Sequence, residues 1–172
     1  VLRSGDFYRL NPPEGSWIDI DSFEQLCRRG VTLFKHRQRD EALTIYRTAE
    51  RLYAGDLFQD IPVQYLEDEQ EDWCMPRRIW LREMALKLQR DMSALLREEG
   101  RLRDALEHCQ KALALDPASD DANMEAMRVF HAQGRPDTVA RQYRQCRKAM
   151  EMIDAIPDGS KVQSLFIALT TS

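Results

Sequence analysis

The chain has 172 residues, of which 43% are hydrophobic and 31% are charged, as is ordinary for one soluble globular domain. Its formal net charge of −4 gives no general electrostatic reason to bind nucleic acid, because nucleic-acid-binding domains carry a basic face. The four cysteines are widely spaced, so zinc-site spacing is absent and we expect reduced thiols, as in a cytoplasmic protein. No apolar run approaches the length of a membrane span, so we expect no membrane partner.

The segment 1–20 differs in character from the rest of the chain. Residues 6–10 and 16–20 are short alternating segments, and residues 11–15 between them contain two prolines and a glycine. Turn chemistry between two alternating segments predicts a β-hairpin within residues 1–20. Because a lone hairpin is marginally stable in water, we expect it to pack on another part of the protein.

Helical periodicity dominates residues 21–172. Asp21, with Glu24 three residues later, predicts the cap and start of the first helix. A second helix follows a turn near residues 37–40, and an irregular connection containing glycine and proline is predicted over residues 54–62. A long helix then includes residues 81–95, with Pro76 either in its first turn or at a kink. The remaining predicted helices cover residues 102–115, 119–133, 136–153 and 160–169, which makes about seven in all.

Two parts of this helical region, residues 96–112 and residues 130–146, align with each other position by position. The aligned pairs are Leu96 with Phe130, Gly100 with Gly134, Ala105 with Val139, Cys109 with Tyr143 and Ala112 with Cys146. The first helix pair fits the same template, with Tyr46 in the position of Cys109, although a longer stretch of chain separates it from the second pair. A helix-turn-helix unit that recurs at an interval of about 34 residues is typical of tetratricopeptide repeats. The predicted fold class is therefore all-α, a tetratricopeptide-like helical repeat preceded by a short β-hairpin, which favours a binding scaffold over a catalytic cleft.

Residues that could carry catalysis are few. The three histidines, His36, His108 and His131, each lack a carboxylate or nucleophile at a suggestive spacing. The sequence has no glycine-rich phosphate loop and no G-x-S-x-G motif. The acidic run at residues 67–72 lacks the glycine and the alternation of a calcium-binding loop. We therefore predict no catalytic, cofactor or metal site, and no enzymatic activity.

A group of basic residues is the most informative candidate for a binding site. In tetratricopeptide folds the first helix of each hairpin lines a concave groove, and the repeat alignment places Ala94, Asp121 and six further residues there. The predicted partner groove consists of Lys87, Arg90, Arg97, Met124, Arg128 and His131. Its cations would suit an acidic peptide or a chain-terminal carboxylate, since arginine pairs with such groups through two parallel hydrogen bonds. The alternative, which the sequence leaves open, is that these long side chains only solvate a helix face.

Several short motifs carry a family resemblance. They are GDFYRL (5–10), DIDSFE (19–24), EAL (41–43), LYAGDL (52–57), EDW (71–73), RLRDAL (101–106), LALDP (113–117) and YRQCR (143–147). In this order they resemble the bacterial transcriptional activator domain of antibiotic regulatory (SARP-type) proteins. The resemblance covers most of residues 5–150, and LYAGDL and EDW are its most specific elements. Residues 150–172 depart from the ending that is usual in the family.

The resemblance implies a regulatory or oligomerising module of a bacterial transcription regulator in the cytoplasm. Its partners would be proteins: other copies of itself, other domains of the same regulator, or transcription machinery such as RNA polymerase. Members of the family carry a winged-helix DNA-binding domain upstream, and residues 1–20 look like its terminal hairpin. The chain starts at Val1 and looks like a fragment; DNA would be bound only through the missing upstream domain. The alternative function is a generic tetratricopeptide adaptor that binds an acidic peptide in its concave groove.

Overall fold

The computed structural model describes residues 2–4, 7–9, 13, 16–62, 74–153 and 161–171. Within these residues, a two-stranded antiparallel ladder of β1 (Leu2–Ser4) and β2 (Phe7–Arg9) precedes seven helices. The helices are α1 (Asp19–Lys35), α2 (Arg39–Glu50), α3 (Cys74–Glu98), α4 (Leu102–Leu115), α5 (Asp120–Ala132), α6 (Pro136–Glu151) and α7 (Lys161–Thr170). The predicted number of helices is therefore confirmed, and most predicted boundaries lie close to the observed ones.

The predicted pairing of the hairpin is wrong. Residues 16–18 form no strand, residues 19 and 20 already belong to α1, and β2 pairs with β1 instead. The backbone N–H of Ile20 donates to the Asp19 carboxylate at 2.8 Å. Asp19 and Asp21 together place two carboxylates in the first turn of α1, where the helix dipole favours negative charge. The helix therefore starts before the cap predicted at Asp21. Residues 11, 12, 14 and 15 of the predicted turn lie outside the described residues.

The turns that join the paired helices confirm the repeat frame. Arg37, Gly100 and Gly134 occupy the same position in the turns after α1, α3 and α5, and all have a positive φ, of 60°, 76° and 68°. In each turn, the N–H of this residue donates to the carbonyl three positions earlier. The next N–H donates to the carbonyl five positions earlier, at distances of 2.9–3.1 Å. This is a left-handed helix termination, which glycine adopts most easily. The three turns therefore lie at positions that the repeat alignment of the sequence makes equivalent.

Small residues at repeat positions let the helices pack closely. Ala105 and Ala112 of α4 and Ala42 of α2 are fully buried, as the template predicts. Each helix packs against its hairpin partner, so that α1–α2, α3–α4 and α5–α6 form successive layers. The last helix, α7, packs on α5 and α6, where Phe166 stacks on Tyr143 with ring centroids 4.3 Å apart. A hydrophobic core thus runs from α1 through to α7.

The LYAGDL motif has a structural role in the irregular connection after α2. The Tyr53 hydroxyl donates to the Asp56 carboxylate at 2.9 Å, and Arg82 of α3 forms an ion pair with the same carboxylate. Arg78 of α3 donates to the carbonyl of Leu57 at 2.9 Å. These contacts attach the connection to α3, in which Pro76 lies in the first turn and not at a kink. None of the helices in the described part of the chain is long and apolar enough to cross a membrane.

Candidate functional site

The predicted groove residues lie on the helices that begin successive hairpins. Lys87, Arg90 and Arg97 are on α3, and Met124, Arg128 and His131 are on α5; α1 also packs against α3. Met124 is buried in the hydrophobic core, so it lies beneath the surface that the cations form. His131 is exposed in the last turn of α5. The structure brings the α3 and α5 cations together around acidic side chains.

Glu125 is the acidic centre between α3 and α5. Arg97 Nε donates to Glu125 Oε1 at 2.7 Å, and Arg128 Nη1 donates to Glu125 Oε2 at 3.2 Å. The Glu125 side chain is only 4% exposed, whereas that of Arg128 is 40% exposed. A buried carboxylate is costly unless it is paired, so the two arginines satisfy Glu125. The guanidinium group of Arg128 still faces solvent.

Asp91 is the equivalent centre on α3. Lys87 Nζ lies 2.7 Å from Asp91 Oδ2, Arg90 Nη2 lies 3.1 Å from Oδ1, and the Tyr46 hydroxyl of α2 donates to Oδ2 at 2.8 Å. Burial, together with the Asp91 charge, raises the pKa of the Tyr46 hydroxyl, so it stays protonated as a donor. Arg90 also forms an ion pair with the exposed Asp121 of α5. Asp91 thereby ties α2 to α3, and Arg90 ties α3 to α5.

A third buried carboxylate, Glu24, lies between α1 and α3. Arg77 Nη1 is 2.6 Å from Glu24 Oε1, and Arg28 Nη2 is 3.2 Å from Glu24 Oε2. The Glu24 side chain is 9% exposed, and that of Arg28 is 67% exposed. Each of the helices α1, α3 and α5 therefore contributes one buried carboxylate that is shared by two cations. We call the surface formed by these three carboxylates and six cations the cationic groove.

The charges of the cationic groove do not balance. Six cations share three buried carboxylates, and the exposed Asp121 adds one further negative charge. Among the described residues these ten groups carry a net charge of +2, although the whole chain has a net charge of −4. Glu83 and Asp120 line the space beside Lys87 and Arg90 together with Asp121, and they offset this excess in the middle of the groove, so that net positive charge remains at Arg28 and Arg128. The groove therefore has a cationic region at each end.

The sequence prediction named four of the six cations, but it missed Arg28, Arg77 and the buried acids with which all six pair. A signal was available: Asp91 and Glu125 are separated by the same interval as Gly100 and Gly134, so they occupy the same repeat position.

Among the described residues, no group of three or more histidine, cysteine, aspartate and glutamate side chains is placed to hold a metal ion. His108 Nδ1 contacts the Gln89 side chain at 2.6 Å, in a polar link between α4 and α3.

Comparisons with known structures give the fold. The tetratricopeptide-repeat domain of Arabidopsis OM64 matches with a TM-score of 0.61 and 14% identity, over 90% of this chain and 98% of that one. The C-terminal tetratricopeptide-repeat domain of a Plasmodium falciparum FK506-binding protein matches with a TM-score of 0.60 and 12% identity, over 91% and 93% of the two chains. At such identities the likeness concerns the fold, which confirms the tetratricopeptide-like architecture. No curated protein sequence matches the chain.

A family profile gives the closer relationship. The profile described as bacterial transcriptional activator domain matches residues 18–165, which is most of the chain and includes all seven described helices except the end of α7. It begins immediately before α1, and it therefore excludes β1 and β2. The motifs, the repeat frame and the profile agree. The chain belongs to the bacterial transcriptional activator domain family.

Proposed function

We propose that this chain is the protein-interaction domain of a bacterial, cytoplasmic transcription regulator, and that its cationic groove binds an acidic segment of a protein partner. The observation that carries this proposal is the recurrence of two cations over one buried carboxylate on each of three neighbouring helices. The family match supports a role in transcription regulation, and the fold supports a role in protein binding. An upstream winged-helix domain would supply DNA binding, with β1 and β2 at its end.

The buried carboxylates favour an acidic partner over the alternative that these cations only solvate a helix face. Solvation alone does not call for buried carboxylates, which are costly to desolvate. The buried carboxylates pair with both cations of each pair, and one of the two cations is the more exposed. The most exposed member of each pair is Arg28 (67%), Lys87 (42%) and Arg128 (40%). An acidic segment that spans α1 to α5 could contact these three cations in turn.

The same groove would serve several regulatory roles. Its acidic segment could come from another domain of the regulator, from a second copy, or from the transcription machinery. A generic adaptor would use the groove in the same way, but the family match favours the regulator. The biochemical property that all of these roles share is selective binding of carboxylate-rich peptide, and this property can be measured directly.

The test uses a fluorescein-labelled octapeptide rich in glutamate, and a control octapeptide in which glutamine replaces every glutamate. We expect the chain to bind the glutamate peptide more tightly, with an affinity that falls as salt rises. The triple variant Arg28→Gln, Lys87→Gln, Arg128→Gln leaves each buried carboxylate one cation. Each lost exposed pair contributes about 0.2–1 kcal/mol, so binding should weaken by roughly tenfold.

The matched control carries the same charge change on another face. Arg141, Arg144 and Arg147 are exposed on α6, and their replacement by glutamine should leave peptide binding within about twofold of the unmodified chain. Helical circular dichroism should be unchanged in both triple variants. Equal affinity for the glutamate and glutamine peptides, or equal loss in both triple variants, would reject the cationic groove as a specific site.

A further inference from the structure

An apolar cavity lies beside the cationic groove, between α1, α2 and α3. Its volume is about 260 Å³, and six of its lining side chains are largely apolar: Cys27, Val31, Tyr46, Trp80, Met84 and Leu88. Burial and the nearby Glu24 and Asp91 carboxylates raise the pKa of the Cys27 thiol to about 12, so this wall stays uncharged. The two remaining lining residues are Arg28 and Lys87, which belong to the cationic groove.

Trp80 forms the exposed wall of this cavity. Its side chain is 48% exposed, although tryptophan buries a large apolar area when it finds a partner. Met84 lies one turn further along α3 and lines the same cavity. Tryptophan is enriched among the residues that dominate binding energy, and methionine adapts its shape to different apolar partners. The exposed apolar wall and the neighbouring cations therefore form one continuous surface.

We propose that this cavity is an anchor pocket for one bulky apolar side chain of the acidic segment, a leucine, methionine or phenylalanine next to a carboxylate. This inference rests on the proposed function of the cationic groove. The volume of about 260 Å³ is just below the range of about 300–1,000 Å³ that is usual for small-molecule sites, and it suits a single side chain. Arg28 at the rim, with its side chain 67% exposed, is placed to pair with the adjacent carboxylate.

The charge at the rim selects this occupant. Arg28 and Arg77 share the carboxylate of Glu24, so these three described side chains carry a net charge of +1 at this end of the groove. A purely apolar segment would bury that charge without a partner, which is unfavourable. A segment that carries a carboxylate beside its apolar side chain satisfies both the pocket and the cation.

The experiment measures binding of four fluorescein-labelled octapeptides to the whole chain. They are rich in glutamate or in glutamine, and have leucine or alanine at the centre. We expect leucine to be preferred over alanine by about tenfold in the glutamate pair, since burial of a leucine side chain is worth at least that factor. Trp80→Ala, and Val31→Phe, which fills the pocket, should each abolish the leucine preference but retain the preference for glutamate over glutamine.

A matched control is Ile79→Ala, because Ile79 is 56% exposed on α3 but does not line the cavity. This variant should keep both preferences. A preference for glutamate without any preference for leucine would overturn the anchor pocket and leave the proposed function intact. Absence of both preferences would overturn both proposals. A concentration-dependent dimer that Trp80→Ala dissociates, in a chain that shows no preference for leucine in the glutamate peptides, would show that a second copy covers this face without an acidic anchor segment, and would also overturn the anchor proposal.

Discussion

Gly30 offers the sharpest test of how the first hairpin is packed. It lies in the interior of α1, where alanine would ordinarily stabilise a helix by about 1 kcal/mol relative to glycine. A Cβ atom at this position would lie 2.6 Å from Cδ1 and 2.9 Å from Cζ of the Tyr46 ring, whereas ordinary contacts are 3.4–4 Å. The ring is fully buried and its hydroxyl is held by Asp91 at 2.8 Å. It therefore has little room to move.

The expected effect of Gly30→Ala follows from these opposing contributions. Overpacking of a well-packed core costs about 1–3 kcal/mol. A shift of the ring also weakens its hydrogen bond to the Asp91 carboxylate, and a bond of this kind contributes about 1.5–3 kcal/mol. After the gain in helix propensity is subtracted, we expect a net loss of about 2–3 kcal/mol in the free energy of unfolding. In a chain of this size, that loss lowers Tm by about 5–10 °C.

Thermal and urea denaturation would measure this loss. Arg29→Ala is the control in the same helix, since Arg29 is exposed and its replacement should change stability by less than about 0.5 kcal/mol. In a Tyr46→Leu background, Gly30→Ala should become neutral or stabilising, because the ring that it meets is gone. A Gly30→Ala variant that is more stable than the unmodified chain would refute the close approach of α1 and α2.

Four further expectations concern the turns, the repeat core, pH and DNA. Arg37→Gly should raise the free energy of unfolding by about 0.5–1 kcal/mol, because Arg37 has a φ of 60° where the equivalent turns use glycine; unchanged Tm values would contradict it. Ala105→Leu should lower stability by about 1–3 kcal/mol, since Ala105 is fully buried between helices, and a melting curve identical to that of the unmodified chain would show that the repeat frame is wrong. Burial lowers the pKa of His108, so the unfolded chain binds a proton that the folded chain does not, and stability should fall as pH drops from about 7 to 5; His108→Gln should flatten this part of the profile in urea melts. The chain itself should bind DNA at most weakly and without sequence preference in an anisotropy titration, because its net charge is −4; submicromolar binding to one duplex over scrambled DNA would contradict this.

The helical part of the fold could be predicted because its signals are local and repeated. Apolar periodicity gave the helices, and the recurrence of one template along the sequence gave the order in which they stack. The first strand pairing could not be predicted in the same way. The alternating residues 16–20 resemble a strand, but Asp19 and Asp21 favour the start of a helix, and this electrostatic preference prevails in the structure.

The candidate site was predictable only in part, for a different reason. Lys87, Arg90, Arg97 and Arg128 could be placed on the first helices of the hairpins from the repeat alignment. Their acidic partners required knowledge of which side chains face inward, and Glu125 in particular looks like an ordinary helix-surface glutamate in the sequence. It is buried because α3 packs against α5 at that point.

The buried carboxylates change how the clustered cations should be understood. Like charges in a groove repel, and an anionic partner would relieve that repulsion; Glu24, Asp91 and Glu125 already do so within the chain. Each internal ion pair weakens the attraction between its cations and the carboxylates of a partner. It also holds the cations in place before the partner binds. A side chain that is already ordered loses less conformational entropy when the partner arrives. The half-exposed second cation of each pair, such as Arg128, is therefore the group from which both specificity for carboxylate and sensitivity to salt should arise.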